Sequence, residues 1–315
     1  MSVCYIDCSP FMRALLTPDL AARLPGLRVH DEPKSETAVV ERLRDATVAL
    51  NGHTPMSGDL IRRCPRLRSI VFLGSGASSY IDVETAASLG IAVRTVLGYG
   101  DRTVAEHAMA LMLAASRRVA EMDRALRSGQ WEPLEGMDLA GKRLGVIGTG
   151  GIGGTFIRLA DAFGMEVVAW NRSPQAAPLP GRLLPLDELL ETSDAVSLHL
   201  ALNAETRGFL DASRLARLKP GAILINTARG ALIDESALVA ALQTGRLGHA
   251  ALDVFLEEPL PAGHILTRFR NVTLTSHAGY KTLEASLRLL TMAIDLAARD
   301  AAAFGDGFDS PAGVA

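Results

Sequence analysis

The chain has 315 residues, which at about 150 residues per domain points to two domains. With 48% hydrophobic residues, 21% charged residues and a formal net charge of −3, it is composed like an ordinary globular protein, and the near-neutral balance argues against a general nucleic-acid or anionic-membrane surface. A membrane span, a secretory signal and a disulfide framework are all unexpected: the longest stretch without a charged residue or His, Leu144–Ile157, has 14 residues with six glycines, Met1–Phe11 carries Asp7 and no basic start, and Cys4, Cys8 and Cys64 form no even set or C-x-x-C pair.

Short β-branched runs alternate with segments of helical period, the pattern of an α/β protein with parallel sheets. In the first third, strands are predicted at Val3–Ile6, Leu27–His30, Val48–Leu50, Ser69–Phe72 and Ile91–Val93, with helices such as Ser35–Arg44 and Asp82–Leu89 between them. Thr103–Ser128 contains neither Pro nor Gly and predicts one long helix ending at Gly129. A second series of strands follows at Arg143–Ile147, Glu166–Trp170, Ala195–Leu198, Ala222–Ile225, His249–Val254 and Val272–Thr275. The last helix is expected over Leu283–Arg299, before an unstructured tail rich in Gly, Asp, Pro and Ala. The whole reads as a soluble, cytoplasmic protein of two domains.

The Leu144–Ile147 strand runs directly into Gly148-Thr149-Gly150-Gly151-Ile152-Gly153, and a helix with the apolar face Phe156, Ile157, Leu159 and Ala160 follows. Strand, glycines and helix in this order form a dinucleotide-binding fingerprint, in which bare backbone approaches a pyrophosphate at a helix N-terminus. The next strand ends at Asn171-Arg172-Ser173, where an NAD-preferring fold usually carries Asp or Glu. Asn does not repel a 2′-phosphate and Arg172 can grip one, so NADP is expected over NAD.

Three later strands lead into Thr227-Ala228-Arg229, Glu257-Glu258 and Ser276-His277. Ligands of doubly wound sheets lie beyond the carboxyl ends of strands, so these side chains can converge. Hydride transfer to a carbonyl needs a proton donor, which a His supported by a Glu supplies near neutral pH, and an Arg fork can pair with the carboxylate of a 2-keto acid. His277, Glu258 and Arg229 are the candidates for these roles. No His spacing suggests a metal; His30, His53, His249 and His264 read as surface residues, and His107 as structural.

GTGGIG at 148–153, NTARGALIDESALVAAL at 226–242, ALDVFLEEPLP at 251–261, SHAGY at 276–280, TVAEHAMALML at 103–113 and SLHLALNAETRG at 197–208 together resemble the D-isomer-specific 2-hydroxyacid dehydrogenases. The resemblance covers about Thr54 to Ala285. It implies two doubly wound parallel-sheet domains: residues 1–99 plus 284–315 form a flavodoxin-like substrate domain, into which residues 100–283 insert a Rossmann NAD(P)-binding domain, with the active site in the cleft. By the same resemblance His277 is the acid/base, Glu258 its partner and Arg229 the substrate clamp. The amides of Gly74, Ser75, Gly76 and Ala77 hold the substrate carboxylate. Gly148, Gly150, Gly151, Ile152 and Gly153 hold the pyrophosphate, and Asn171, Arg172 and Ser173 surround the ribose. Thr103, Thr206, Thr227, Ala228, Asp253 and Gly279 are further cofactor contacts, Asp253 near the carboxamide. His199 is explained equally by packing and by contact. The helix after Thr103 implies a homodimer.

Two departures stand out: Ser276 and Ala201 replace prolines common in the family, which should loosen their loops without removing a catalytic group. The expected activity is reduction of a small 2-keto acid, of the glyoxylate or hydroxypyruvate kind, to the D-2-hydroxy acid. The alternatives are a dinucleotide-sensing, corepressor-like binding protein and a D-3-phosphoglycerate-type dehydrogenase. Lys34 and Arg13 suit the latter's phosphate, but no basic cluster is evident. A formate-oxidising relative would carry a long N-terminal extension. Partners beyond the small acid, nucleic acid and membrane among them, are not expected.

Overall fold

The computed structural model describes residues 2–173 and 178–305, so the expectation of an unstructured tail falls outside the described residues. The chain divides into two compact units, Met1–Tyr99 with the chain from Thr282 onward, and Gly100–Lys281.

The first unit holds five strands: β1 (Val3–Tyr5), β2 (Leu27–Val29), β3 (Val48–Asn51), β4 (Ser69–Phe72) and β5 (Ala92–Thr95). All pair in parallel in the order β2-β1-β3-β4-β5, a flavodoxin-like arrangement. Its core gathers Ile6, Val39, Leu43, Leu60, Ile61, Ile70 and Phe72. The long helix Leu283–Gly305 belongs to this unit and buries Asp300, whose carboxylate accepts from Ser69 Oγ at 2.5 Å and meets Arg94 Nε at 3.3 Å. Several helices open where side chains dictate. Ser35, Asp82 and Asp234 each accept the amide three residues on, at 3.2, 2.9 and 3.1 Å.

The second unit holds β6 (Arg143–Ile147), β7 (Glu166–Trp170), β8 (Arg182–Leu183), β9 (Ala195–Leu198), β10 (Ala222–Asn226), β11 (Leu247–Leu252) and β12 (Val272–Leu274). They form one parallel sheet ordered β12-β11-β10-β9-β6-β7-β8. This is the Rossmann order with one further strand, and its direction of winding reverses between β6 and β9. Alternate strand residues feed two cores, one on each face. Ile147, Val168, Val196 and Leu224 enter one, and Leu144, Val146, Val167 and Ile225 the other.

Three expectations need correction. The single helix over 103–128 is two helices, Asp101–Ser116 and Val119–Arg127, broken where Arg118 turns left-handed at φ 52°. The Ser116 carbonyl accepts the Met137 amide at 2.8 Å, and the buried Glu121 draws Arg118 and Arg270 to within 2.8 and 2.9 Å. The Met137 amide and Arg270 belong to distant chain, and their contacts override local helix propensity. β11 starts two residues earlier than expected, at Leu247, which is fully buried. His249 is therefore no surface residue: it is buried and its Nε2 lies 2.9 Å from Thr273 Oγ1. Burial and the charges of Arg118 and Arg124 push its imidazole down to about 4. The short β8 lies outside every predicted strand.

Candidate active site

At the switch point, β6 ends in the glycine turn and the helix Gly151–Ala162 begins. Gly148 takes φ 98°, and a Cβ there would fall 2.5 Å from the His199 carbonyl. A Cβ on Gly153 would fall 2.0 Å from the Gly148 carbonyl. Only glycine fits either place. Nothing lies within 4 Å of a Cβ built on Gly150, which faces open space. The amides of Gly151, Ile152 and Gly153 find no acceptor among the described residues. Thr227, directly after β10, is buried with its Oγ1 unpartnered. A bare backbone cradle, unsatisfied helix-terminal amides and an orphaned hydroxyl together fit a dinucleotide.

The rim of this cradle is organised by side chains. Asn171 Oδ1 accepts the Thr149 amide at 3.3 Å, while its Nδ2 donates to the Ser173 carbonyl at 2.7 Å. Arg172 pairs with Glu205, on the turn after β9, and both are well exposed. That turn is held by Asn203, whose Oδ1 accepts the Glu205 and Thr206 amides at 2.9 and 3.0 Å, and by Thr206 Oγ1 donating to the Ala201 carbonyl at 2.7 Å. His199 packs its ring on Phe156 and lies 2.9 Å from Ser197 Oγ. Desolvation pushes it down to about 3, so it stays neutral. Thr103 is buried in the helix Asp101–Ser116.

The loops after β10, β11 and β12 carry Arg229, Glu258 and His277. Gly230 lets the first two loops meet: a Cβ there would fall 2.0 Å from the Phe255 carbonyl carbon. Asn226 braces the Arg229 loop, accepting the Ala228 amide at 3.0 Å and donating to the Arg229 carbonyl at 2.9 Å. Glu258 accepts the Phe255 amide at 2.9 Å through Oε1, and its Oε2 lies 2.6 Å from His277 Nδ1. Partial burial alone would raise the Glu258 carboxyl. The bonds from His277 and Phe255 and the nearby charges of His277 and Arg229 outweigh it and leave the group below its usual range. With Nδ1 committed to Glu258, the other ring nitrogen of His277 is the one available to exchange a proton with a ligand.

His277 itself sits at φ 51°, a conformation uncommon for non-glycine residues, and the buried Asp253 enforces it. The Asp253 backbone carbonyl accepts the His277 amide at 2.8 Å. Its side-chain oxygens accept Thr275 Oγ1 and the amides of Ala278 and Gly279 at 2.6, 2.8 and 2.9 Å. His107 Nε2 lies 3.0 Å from Thr275 Oγ1 and 3.3 Å from Asp253 Oδ1. His107 is structural, as the sequence suggested, whereas the bracing role of Asp253 and Gly230 was missed. The only signal was that each falls inside a motif already singled out.

In the first unit, Gly74–Ala77 follow β4 and lead into the turn Ala77–Ser79. The Gly74 amide donates to the Phe72 carbonyl at 2.9 Å, while those of Ser75 and Gly76 find no acceptor among the described residues. Among the described residues no group of three or more His, Cys, Asp or Glu could hold a metal ion.

Comparison with known proteins agrees with this geometry. Residues 109–279 match the D-isomer specific 2-hydroxyacid dehydrogenase, NAD binding domain. A glyoxylate reductase of Aeropyrum pernix is 42% identical over 249 residues, covering 75% of this chain and 74% of that one. The crystal structure of the TT0316 protein from Thermus thermophilus has a TM-score of 0.83 at 36% identity, covering 93% of this chain and 94% of that one. An acyclic imino acid reductase in complex with NADPH and D-Arg has a TM-score of 0.82 at 29% identity, over 92% and 94% of the two chains. By fold, by the glycine turn and by these likenesses, the chain belongs to the D-isomer-specific 2-hydroxyacid dehydrogenase family.

Proposed function

We propose that the protein is an NADPH-preferring reductase of small 2-keto acids such as glyoxylate and hydroxypyruvate, yielding the D-2-hydroxy acid. The observation that carries this reading is the 2.6 Å contact between His277 and Glu258 with Arg229 beside them at the carboxyl edge of the Rossmann sheet. A nicotinamide dinucleotide held in the cradle supplies the hydride. His277 delivers a proton to the carbonyl oxygen, and Glu258, bound to its Nδ1, fixes the orientation of the ring. Arg229 pairs with the substrate carboxylate. The free amides of Ser75 and Gly76, with Gly74 and Ala77, suit a carboxylate. The unit Met1–Tyr99 with the C-terminal helix is accordingly the substrate domain, and the remainder binds the dinucleotide through Gly148–Gly153, Thr206, Thr227, Ala228 and Gly279.

The neutral Asn171 and the cationic Arg172 support NADPH over NADH. The comparison structure that binds NADPH is in keeping with this. A homodimer is supported by an apolar face on the helix Val119–Arg127 and the segment after it. Val119, Leu126 and Trp131 are 51, 53 and 87% exposed there. Among the described residues no helix is long and apolar enough to cross a membrane. With three buried free cysteines, a cytoplasmic setting is the natural one.

The test is absorbance at the reduced nicotinamide band, with NADPH and NADH separately, against glyoxylate, hydroxypyruvate, pyruvate and phenylpyruvate. Turnover favouring NADPH is expected. A clear NADH preference overturns the cofactor assignment, and dinucleotide binding without turnover on any acid overturns the reductase.

A further inference from the structure

One acidic side chain lies against the dinucleotide cradle without any role in it. Asp101 opens the helix Asp101–Ser116, and its carboxylate rests on Gly151, the first residue of the helix Gly151–Ala162. A Cβ on Gly151 would fall 1.8 Å from Asp101 Oδ2 and 2.5 Å from its Cγ. Gly151 has no left-handed φ to explain its identity, so what the missing side chain provides is room for this carboxylate. The Asp101 side chain makes no hydrogen bond or ion pair among the described residues, while its neighbour Arg102 is committed to Glu106. Burial, with no compensating partner, pushes the Asp101 carboxyl above its usual value. A half-buried carboxylate with nothing to neutralise it is thus held beside three unsatisfied amides that suit an anion.

We propose that Asp101 is an affinity-limiting residue for the dinucleotide: its carboxylate competes, by charge and by volume, with the pyrophosphate for the N-terminal end of the helix Gly151–Ala162. This rests on the dinucleotide reading of that turn and adds a residue that weakens binding where the others strengthen it. Because the pyrophosphate is common to both cofactors, the effect is the same for NADPH and NADH. It speeds release of the dinucleotide and leaves the choice between the two to Asn171 and Arg172.

The experiment is fluorescence titration of the full-length protein and of Asp101→Asn and Asp101→Ser with NADPH and NADH, each at low and high salt. Removing the charge should tighten both dinucleotides about tenfold at low salt, with a slower dissociation rate in stopped flow. The gain should shrink as salt rises. A second pair of variants tests the contact itself. Gly151→Ala should weaken binding and lower Tm in the wild-type background, and be better tolerated alongside Asp101→Ser. Unchanged or weaker binding by both Asp101 variants overturns the proposal while leaving the dinucleotide site intact. Failure of every protein to bind either dinucleotide overturns the site as well.

Discussion

The glycine turn at 148–153 and the Arg229–Glu258–His277 group stand on the same sheet and are built in opposite ways. In the turn, six consecutive residues do everything: a Cβ on Gly148 or Gly153 would meet backbone at 2.5 or 2.0 Å, so the absence of side chains sets the shape. In the group, His277 is 19 residues from Glu258 in sequence, and they meet only because β10, β11 and β12 are adjacent. A contiguous motif carries its constraint with it. A dispersed one borrows its geometry from strand order and from braces such as Asp253. Damage to the first should therefore show in dinucleotide binding, and damage to the second in turnover.

The largest effect should come from His277→Ala, which removes the proposed proton donor and should cost about 10²–10⁴ in kcat. Dinucleotide affinity should stay within a few-fold. Comparable losses in both would mean that the two regions are not separable. Arg229→Lys keeps the charge but loses the fork, and the substrate KM should rise about tenfold or more with the dinucleotide Kd unchanged. A matched pair sharpens the contrast further, since Gly153→Ala and Gly230→Ala each drive a methyl into backbone at 2.0 Å. Each should cost about 3 kcal/mol of stability, read as a lower Tm. Only Gly153→Ala should abolish dinucleotide binding at temperatures where the protein is folded, whereas Gly230→Ala should bind and turn over poorly.

His249 lies outside both regions, on the strand that leads to Asp253, and separates packing from chemistry. Its folded pKa is depressed to about 4 by burial, below an unfolded value of 6.5. The stability it permits is complete above about pH 6.5 and is lost as pH falls toward 4, because only the unfolded chain takes up the proton. Between pH 7 and 5 this amounts to about 2 kcal/mol. His249→Gln should flatten that part of the stability profile while leaving kcat near neutral pH alone. A profile unchanged by the substitution would place the acid sensitivity elsewhere. The smallest effect concerns the exposed Arg172–Glu205 pair. Glu205→Gln releases the guanidinium and should raise the ratio of NADPH to NADH efficiency by about fivefold at most.

Much of the second unit was legible from local pattern. β6, β7 and β9 fall where short β-branched runs predicted them, and the glycine turn follows β6 without a gap. Ser35 and Asp82 cap the helices they were expected to open. The polar residues that end β10, β11 and β12 could be named as candidates because doubly wound sheets present that edge to ligands. What failed needed a distant partner. The break at Arg117–Arg118 depends on the Met137 amide and on Glu121 reaching Arg270. The burial of His249 depends on Thr273 of the neighbouring strand.

By itself, then, the sequence determined the class of fold and the dinucleotide turn, because strand and helix periods and the steric demand for glycine act within a few residues. It also supplied the residue types that proton transfer and carboxylate binding require. Only the tertiary structure decided that Glu258 and His277 meet at 2.6 Å, that Asp253 bends the His277 loop into a left-handed conformation, that Arg172 is engaged by Glu205, and that Asp101 fills the space Gly151 leaves. Each of these is a contact between segments whose separation along the chain says nothing of their distance in space. Hydrogen bonds and ion pairs act over a few ångströms, so they exist only once the sheet has set its strands side by side.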